Sequence, residues 1–327
     1  MMKIFITRRI PDAGIKLLKA AGYSVDIYKE DRVIPRKELL KRVTGCDAIL
    51  SLLTDKIDDG VLKAAGPKLK VIANYAVGFD NIDLSAAKKR GVIVTNTPAP
   101  EVSETVAEHA IALIFALAHR IVEADHITRN NKYHGWDPNL LLGTDVIGKT
   151  VGVIGTGRIG ANLIRRLVDG FDIRILYSDV QPNKELEKKY HATYVPLEKL
   201  LAQSDFVSLH VPLVPATHHL INAKRLQLMK KTAYLINTAR GPVIDSHALV
   251  QALKAKRIAG AGLDVFEGEP QFALKKQDSA YLQQAWNVIL TPHTASATIE
   301  ARQAMSKLAA DNIIAVLSEK PALTPAR

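Results

Sequence analysis

Cysteine is nearly missing from this 327-residue chain: Cys46 stands alone, which excludes an intrachain disulfide and a cysteine-built zinc site. No apolar run approaches the roughly 20 residues that span a bilayer. The opening residues, Met1 to Arg9, turn charged too early for a secretory signal. Low-complexity tracts and internal repeats are lacking, apart from a shared strand–helix rhythm. Acidic residues are the minority, 33 against 44 Lys and Arg, which leaves a net charge of +11. A basic balance raises nucleic acid and phosphate-rich ligands as partners. The basic pairs Arg165-Arg166 and Lys230-Lys231, and the run Lys88-Lys89-Arg90, are scattered over separate elements. Scattered charge serves solubility and anion steering rather than a groove-binding face. The expectation is a soluble, cytoplasmic protein with neither a nucleic-acid nor a membrane partner.

Apolar residues are plentiful at 47%, enough for packed cores. Five β-rich runs, Lys3–Thr7, Ser24–Tyr28, Ala48–Ser51, Leu69–Asn74 and Val92–Asn96, alternate with amphipathic stretches. The Thr97-Pro98-Ala99-Pro100 segment breaks the pattern. Ser103-Glu104-Thr105 is expected to cap a long helix running through Ile127, whose apolar stretch Ala110–Ala118 belongs in a core or a subunit interface. Six further runs follow: Thr150–Ile154, Arg174–Tyr177, Phe206–Leu209, Ala233–Ile236, Gly260–Leu263 and Asn287–Leu290. Strands separated by helices predict parallel sheets covered on both faces. The fold class expected is α/β, with two doubly wound domains. Residues 1–99 with 296–327 form one, closed by a final helix Ile299–Leu317, and residues 100–295 form the other.

Gly155-Thr-Gly157-Arg-Ile-Gly160 follows a strand-like run and opens a helical stretch. In that context Gly155 permits a tight turn, Gly157 admits a pyrophosphate to the backbone, and Gly160 lets helix and strand pack closely. Asp179 ends the next strand, where an acid accepts hydrogen bonds from ribose hydroxyls. The second domain is therefore expected to bind a dinucleotide. Arg240, Glu269 and His293 each follow a strand of the same domain, where an open α/β sheet forms its ligand crevice. Together they make a coherent device: arginine grips a carboxylate with two parallel hydrogen bonds, histidine carries a proton, and glutamate orients the histidine. No metal is expected. The neighbours His218 and His219 should point different ways, and no third ligand is evident. Ser204-Asp205 and Asp58-Asp59 read as turn or cap residues.

These motifs resemble the D-isomer-specific 2-hydroxyacid dehydrogenases, and the resemblance covers nearly the whole chain. Asn74–Asp83, Gly91–Pro98, the glycine loop, Thr238-Ala-Arg-Gly241, Gly260–Pro270 and Thr291-Pro-His-Thr294 carry it. Within the family, the sequence is most similar to the glyoxylate and hydroxypyruvate reductases. The resemblance implies a flavodoxin-like substrate domain and a Rossmann domain that takes NAD(H). It gives Arg240 to the substrate, His293 to acid/base work and Glu269 to pairing with that histidine. It also places the backbone of Val77 and Gly78 on the substrate carboxylate, and Asp264 at the nicotinamide carboxamide. It assigns Thr105, Arg158, Ile159, His210, Val211, Pro212, Thr217, Thr238, Ala239, Arg240, His293 and Ala295 to the cofactor cleft. His134–Pro138 with Leu142-Gly143 resembles a dimerisation loop, implying a homodimer in which Trp136 reaches the neighbour's substrate.

Departures from relatives narrow the reading. His293-Thr-Ala-Ser296 stands where many have His-Ile-Gly-Ser. Asp179 replaces the basic residue of several glyoxylate reductases, arguing for NAD(H) over NADP(H). Val77 replaces the lysine of phosphite dehydrogenases, and Glu269 the glutamine of formate dehydrogenases. The expected activity is NADH-dependent reduction of glyoxylate or hydroxypyruvate. The alternatives are a D-lactate or D-3-phosphoglycerate dehydrogenase, or a non-catalytic, NAD-sensing protein like the corepressors that share this scaffold.

Overall fold

In the computed structural model, which describes residues 1–326, the chain divides into two units. Met1–Val102 with the chain from Ala297 onward makes the first, and Ser103–Ser296 the second. The first begins β1 Lys3–Ile6, α1 Asp12–Ala20, β2 Ser24–Ile27, α2 Arg36–Val43 and β3 Ala48–Leu52. It continues with α3 Asp59–Ala65, β4 Val71–Tyr75, α4 Leu84–Lys89 and β5 Ile93–Thr95. All five strands are parallel, in the order β2-β1-β3-β4-β5, which is the flavodoxin-like arrangement. Asp58 caps α3 by accepting the Val61 amide, and Asp83 caps α4 through the Ala86 amide.

Next come α5 Pro100–Ala118 and α6 Ile121–Arg129. The expected single helix is thus two. It starts at Pro100, where a proline's missing N–H is harmless, rather than at Ser103. It breaks where the Ala118 carbonyl accepts the Thr144 amide and Arg120 turns left-handed at φ 53°. The apolar stretch of α5 is core, not surface: Ala110, Leu113, Ile114 and Leu117 are buried. Leu113 and Leu117 lie where a side chain on Gly262 would begin, so the missing Cβ lets helix and sheet close up. No single helix among the described residues is long and apolar enough to cross a membrane.

The second unit continues with β6 Thr150–Ile154, α7 Arg158–Gly170, β7 Arg174–Ser178, α8 Lys184–Tyr190, β8 Thr193–Tyr194 and α9 Leu197–Gln203. Then come β9 Phe206–Leu209, α10 Ala223–Leu226, β10 Tyr234–Asn237, α11 Ser246–Lys254, β11 Gly260–Leu263, α12 Lys276–Gln284 and β12 Val288–Leu290. Seven parallel strands run β12-β11-β10-β9-β6-β7-β8. Counted from β6, this is the Rossmann order 3-2-1-4-5-6 with one strand added beyond. Both expected doubly wound sheets are present. The unforeseen strand is β8, two residues on the edge of β7. The final helix, α13 Ile299–Leu317, belongs to the first unit and packs on α1, where Ser306 Oγ accepts the Gly14 amide and donates to the Pro11 carbonyl.

Candidate active site

The sheet of the second unit reverses its winding between β6 and β9, and the three glycines sit beside that switch point. Gly155 is left-handed (φ 90°), and a Cβ there would lie 2.7 Å from the His210 carbonyl oxygen. A Cβ on Gly160 would lie 2.1 Å from the Gly155 carbonyl oxygen, so only glycine lets α7 start so close. Around Gly157, by contrast, a Cβ would meet nothing within 4 Å. Its bare backbone faces open space at the start of α7, whose N-cap lacks a side-chain cap. Uncapped helix N–H groups beside an open glycine suit a phosphate. Asp179 is fastened to the same loop: Oδ2 accepts Thr156 N and Thr156 Oγ1, both at 2.7 Å, and Oδ1 accepts Val180 N. Partial burial pushes this carboxyl up, but these hydrogen bonds outweigh it and hold it below the usual range, so it is ionised at neutral pH. These residues fit a dinucleotide.

The loops after β9 and β10 add polar atoms. His210 Nε2 lies 2.9 Å from Ser208 Oγ, while its Nδ1 is buried with no protein partner. Burial pushes the ring down to about 4, so His210 is neutral near pH 7. Thr238 Oγ1 is likewise buried and unpartnered. Buried polar atoms of this kind call for a ligand or water. Asn237, wholly buried, moulds the turn between them: Oδ1 accepts Ala239 N and Nδ2 donates to the Arg240 carbonyl. Arg240 itself is half-buried and donates to the Ala239 carbonyl.

Arg240, Glu269 and His293 follow β10, β11 and β12, three successive neighbours in the sheet. His293 Nδ1 meets Glu269 Oε2 at 2.8 Å, and Glu269 Oε1 accepts the Phe266 amide at 2.9 Å. Asp264 builds the loop on which His293 stands. Its carboxylate is fully buried and accepts Thr291 Oγ1 (2.6 Å), Thr294 N and Ala295 N (both 2.8 Å), and its carbonyl accepts His293 N. His109 of α5 completes this network through Thr291 Oγ1 at 3.1 Å. Asn237, Thr291 and His109 were given no role by the sequence reading. Asn237 and Thr291 were legible only as strand-end polar residues, and His109 carried no local signal at all.

Thr217 shapes the turn after Pro212, accepting Val214 N and donating to the Pro212 carbonyl. Arg158 and Pro212 are exposed, whereas Ile159, Val211, Ala239 and Thr105 are half-buried and Ala295 is buried. In the first unit, the Val77 carbonyl accepts Asn96 Nδ2 and the Gly78 carbonyl accepts Asn74 Nδ2. Trp136, in the second unit, is 82% exposed.

One expectation is corrected. His218 and His219 do not point apart: their rings stack with centroids 4.1 Å apart, because His219 is left-handed (φ 49°) and swings its side chain back beside its neighbour's.

The D-isomer-specific 2-hydroxyacid dehydrogenase NAD-binding domain matches residues 111–295. A glyoxylate reductase of Korarchaeum cryptofilum is 49% identical over 314 residues, 96% of this chain and 92% of that one. A solved Thermus thermophilus protein superposes with a TM-score of 0.92 at 39% identity, covering all of both chains. An NADPH-dependent glyoxylate/hydroxypyruvate reductase of Sinorhizobium meliloti, solved with NADP and malonate, gives 0.83 at 32% identity over 99% of this chain and 96% of that one. This chain belongs to the D-isomer-specific 2-hydroxyacid dehydrogenase family. It is an NAD(H)-dependent oxidoreductase.

Proposed function

We propose that this enzyme reduces glyoxylate or hydroxypyruvate to the 2-hydroxy acid, with NADH preferred over NADPH. The observation that carries the reading is the 2.8 Å His293–Glu269 pair, flanked in the sheet by the loop bearing Arg240. When bound, NADH would supply a hydride for the substrate's carbonyl carbon. The carbonyl oxygen then needs a proton. His293 Nδ1 is held by Glu269, which leaves Nε2 to deliver it. Arg240 grips the planar carboxylate and the adjacent carbonyl, setting the face that is reduced. The amides of Val77 and Gly78, whose carbonyls are tied back by Asn96 and Asn74, are the donors assigned to the substrate carboxylate.

The glycine loop, with Arg158 and Ile159, is assigned to the pyrophosphate and Asp179 to the adenosine ribose. His210, Val211, Pro212, Thr217, Thr238, Ala239, Thr105 and Ala295 are assigned to the walls of the cofactor cleft. Asp264, assigned by the resemblance to the nicotinamide carboxamide, is fully buried and holds the loop on which His293 stands. The active unit is a homodimer, with Trp136 reaching toward the partner. Steady-state oxidation of NADH against glyoxylate, hydroxypyruvate and pyruvate tests the reading. The two named acids should be turned over with the higher kcat/KM. A preference for pyruvate would move the assignment to the lactate type, and no turnover with any of them would favour an NAD-sensing protein.

A further inference from the structure

We propose that His218, His219 and Glu267 form a binding site for a transition-metal ion of the zinc class. One ligand atom from each of the three lies within 4.8 Å of the others. His219 Nε2 and Glu267 Oε1 are already 2.7 Å apart, and the His218 ring stacks on that of His219.

The arrangement depends on a backbone that sequence spacing does not predict. Consecutive side chains normally diverge unless one residue enters the left-handed region, which histidine does more readily than most residues. His219 does so, and its amide is held there by the Pro242 carbonyl at 2.8 Å. The third group comes from another loop. Glu267 is fixed because Oε2 accepts the Ser246 amide at 3.0 Å, and because Gly241 packs so tightly on Phe266 that a Cβ would fall 2.2 Å from its carbonyl carbon. Two ligands are therefore preset by backbone contacts, and the third, His218, is exposed and free to rotate inward.

The donor set selects the ion. Two imidazoles with one carboxylate suit zinc and its first-row neighbours, whereas calcium and magnesium prefer all-oxygen shells. Tetrahedral zinc, with bonds of about 2.0–2.1 Å, sets its ligand atoms roughly 3.3 Å apart. Reaching that spacing requires opening the His219–Glu267 contact slightly and turning the His218 ring inward. A fourth position is left for water on the exposed side of His218.

The test uses the full chain, free of any affinity tag and stripped with a chelator. Zinc chloride is titrated by calorimetry, and cobalt(II) is added separately for its visible absorption. One ion per chain is expected, with the intense visible bands of tetrahedral cobalt. His218→Ala, at an exposed position, should keep the fold and weaken zinc binding at least about tenfold. His218→Cys should restore it, because thiolate is an equal or better zinc ligand. Zinc binding unchanged in His218→Ala, no binding at all, or weak octahedral cobalt bands would overturn the proposal and leave the His219–Glu267 pair as a loop fastener.

Discussion

Glu269 holds His293 from one side only: its Oε2 meets the ring at 2.8 Å, while its Oε1 is anchored by the Phe266 amide at 2.9 Å. One carboxylate oxygen is thus pinned by the backbone while the other meets the ring, so the group aims the ring and places a carboxylate beside it. Glu269→Gln keeps the shape and removes the charge. It should lower kcat by about tenfold or more while leaving NADH affinity unchanged. Steady-state kinetics beside a fluorescence titration of NADH check this, and a kcat within twofold of the parent would contradict it.

The proposed preference for NADH rests on Asp179. Its ionised carboxylate would face the 2′-phosphate of NADPH as a like charge, which costs several kcal/mol, or roughly 10²-fold or more in affinity. The ratio of kcat/KM for NADH over NADPH should therefore be about 10² or greater. Asp179→Ser should narrow it, with part of the loss in NADH binding because Thr156 also rests on this carboxylate. Equal efficiencies in the parent enzyme would refute the assignment.

Acid stability has a local source in Asp205, which accepts the Thr150 amide at 2.9 Å and the Lys230 ammonium at 2.7 Å. Burial raises its carboxyl, but these partners more than offset that and hold it below the usual range. A carboxyl depressed by folding contributes stability above its unfolded pKa, and that contribution fades as pH falls through the folded value. Asp205→Asn should therefore be about 1 kcal/mol less stable at neutral pH. The gap should close as pH drops below about 4. Urea melts at the two pH values measure it; a gap that is constant or widens in acid would count against the pair.

Exposed apolar side chains gather on α6 and the segment after it. Ile121, Leu142 and Ile147 are more than half exposed, and Trp136 almost wholly so. In the proposed homodimer, these side chains are expected to be covered by a second copy of the chain. Light scattering at micromolar concentration should give a dimer, and Leu142→Asp should shift it toward monomer with loss of activity. A fully active monomer would remove the idea.

Much of this was legible in the residues because it is local. A glycine triplet between a strand and a helix, and polar residues directly after apolar runs, announce themselves within a dozen positions. Glu269 and His293 were readable as strand-end residues for that reason, and the parallel, doubly wound class followed from the alternation of strands and helices. What escaped depends on partners distant in sequence. The break at Arg120 follows from Thr144 capturing the Ala118 carbonyl. β8 is too short to show a period. The convergence of His218 and His219 turns on one left-handed residue, and the hydrogen-bonded link from His109 through Thr291 to Asp264 joins elements far apart in sequence.

Reduction as proposed depends on His293 delivering the proton that completes it. The most direct measurement of this is kcat for glyoxylate reduction by the parent and by His293→Ala, at saturating NADH whose binding is confirmed in both. His293→Ala should lose on the order of 10²–10⁴ in kcat with NADH affinity preserved. A variant that turns over glyoxylate at close to the parent rate would contradict it.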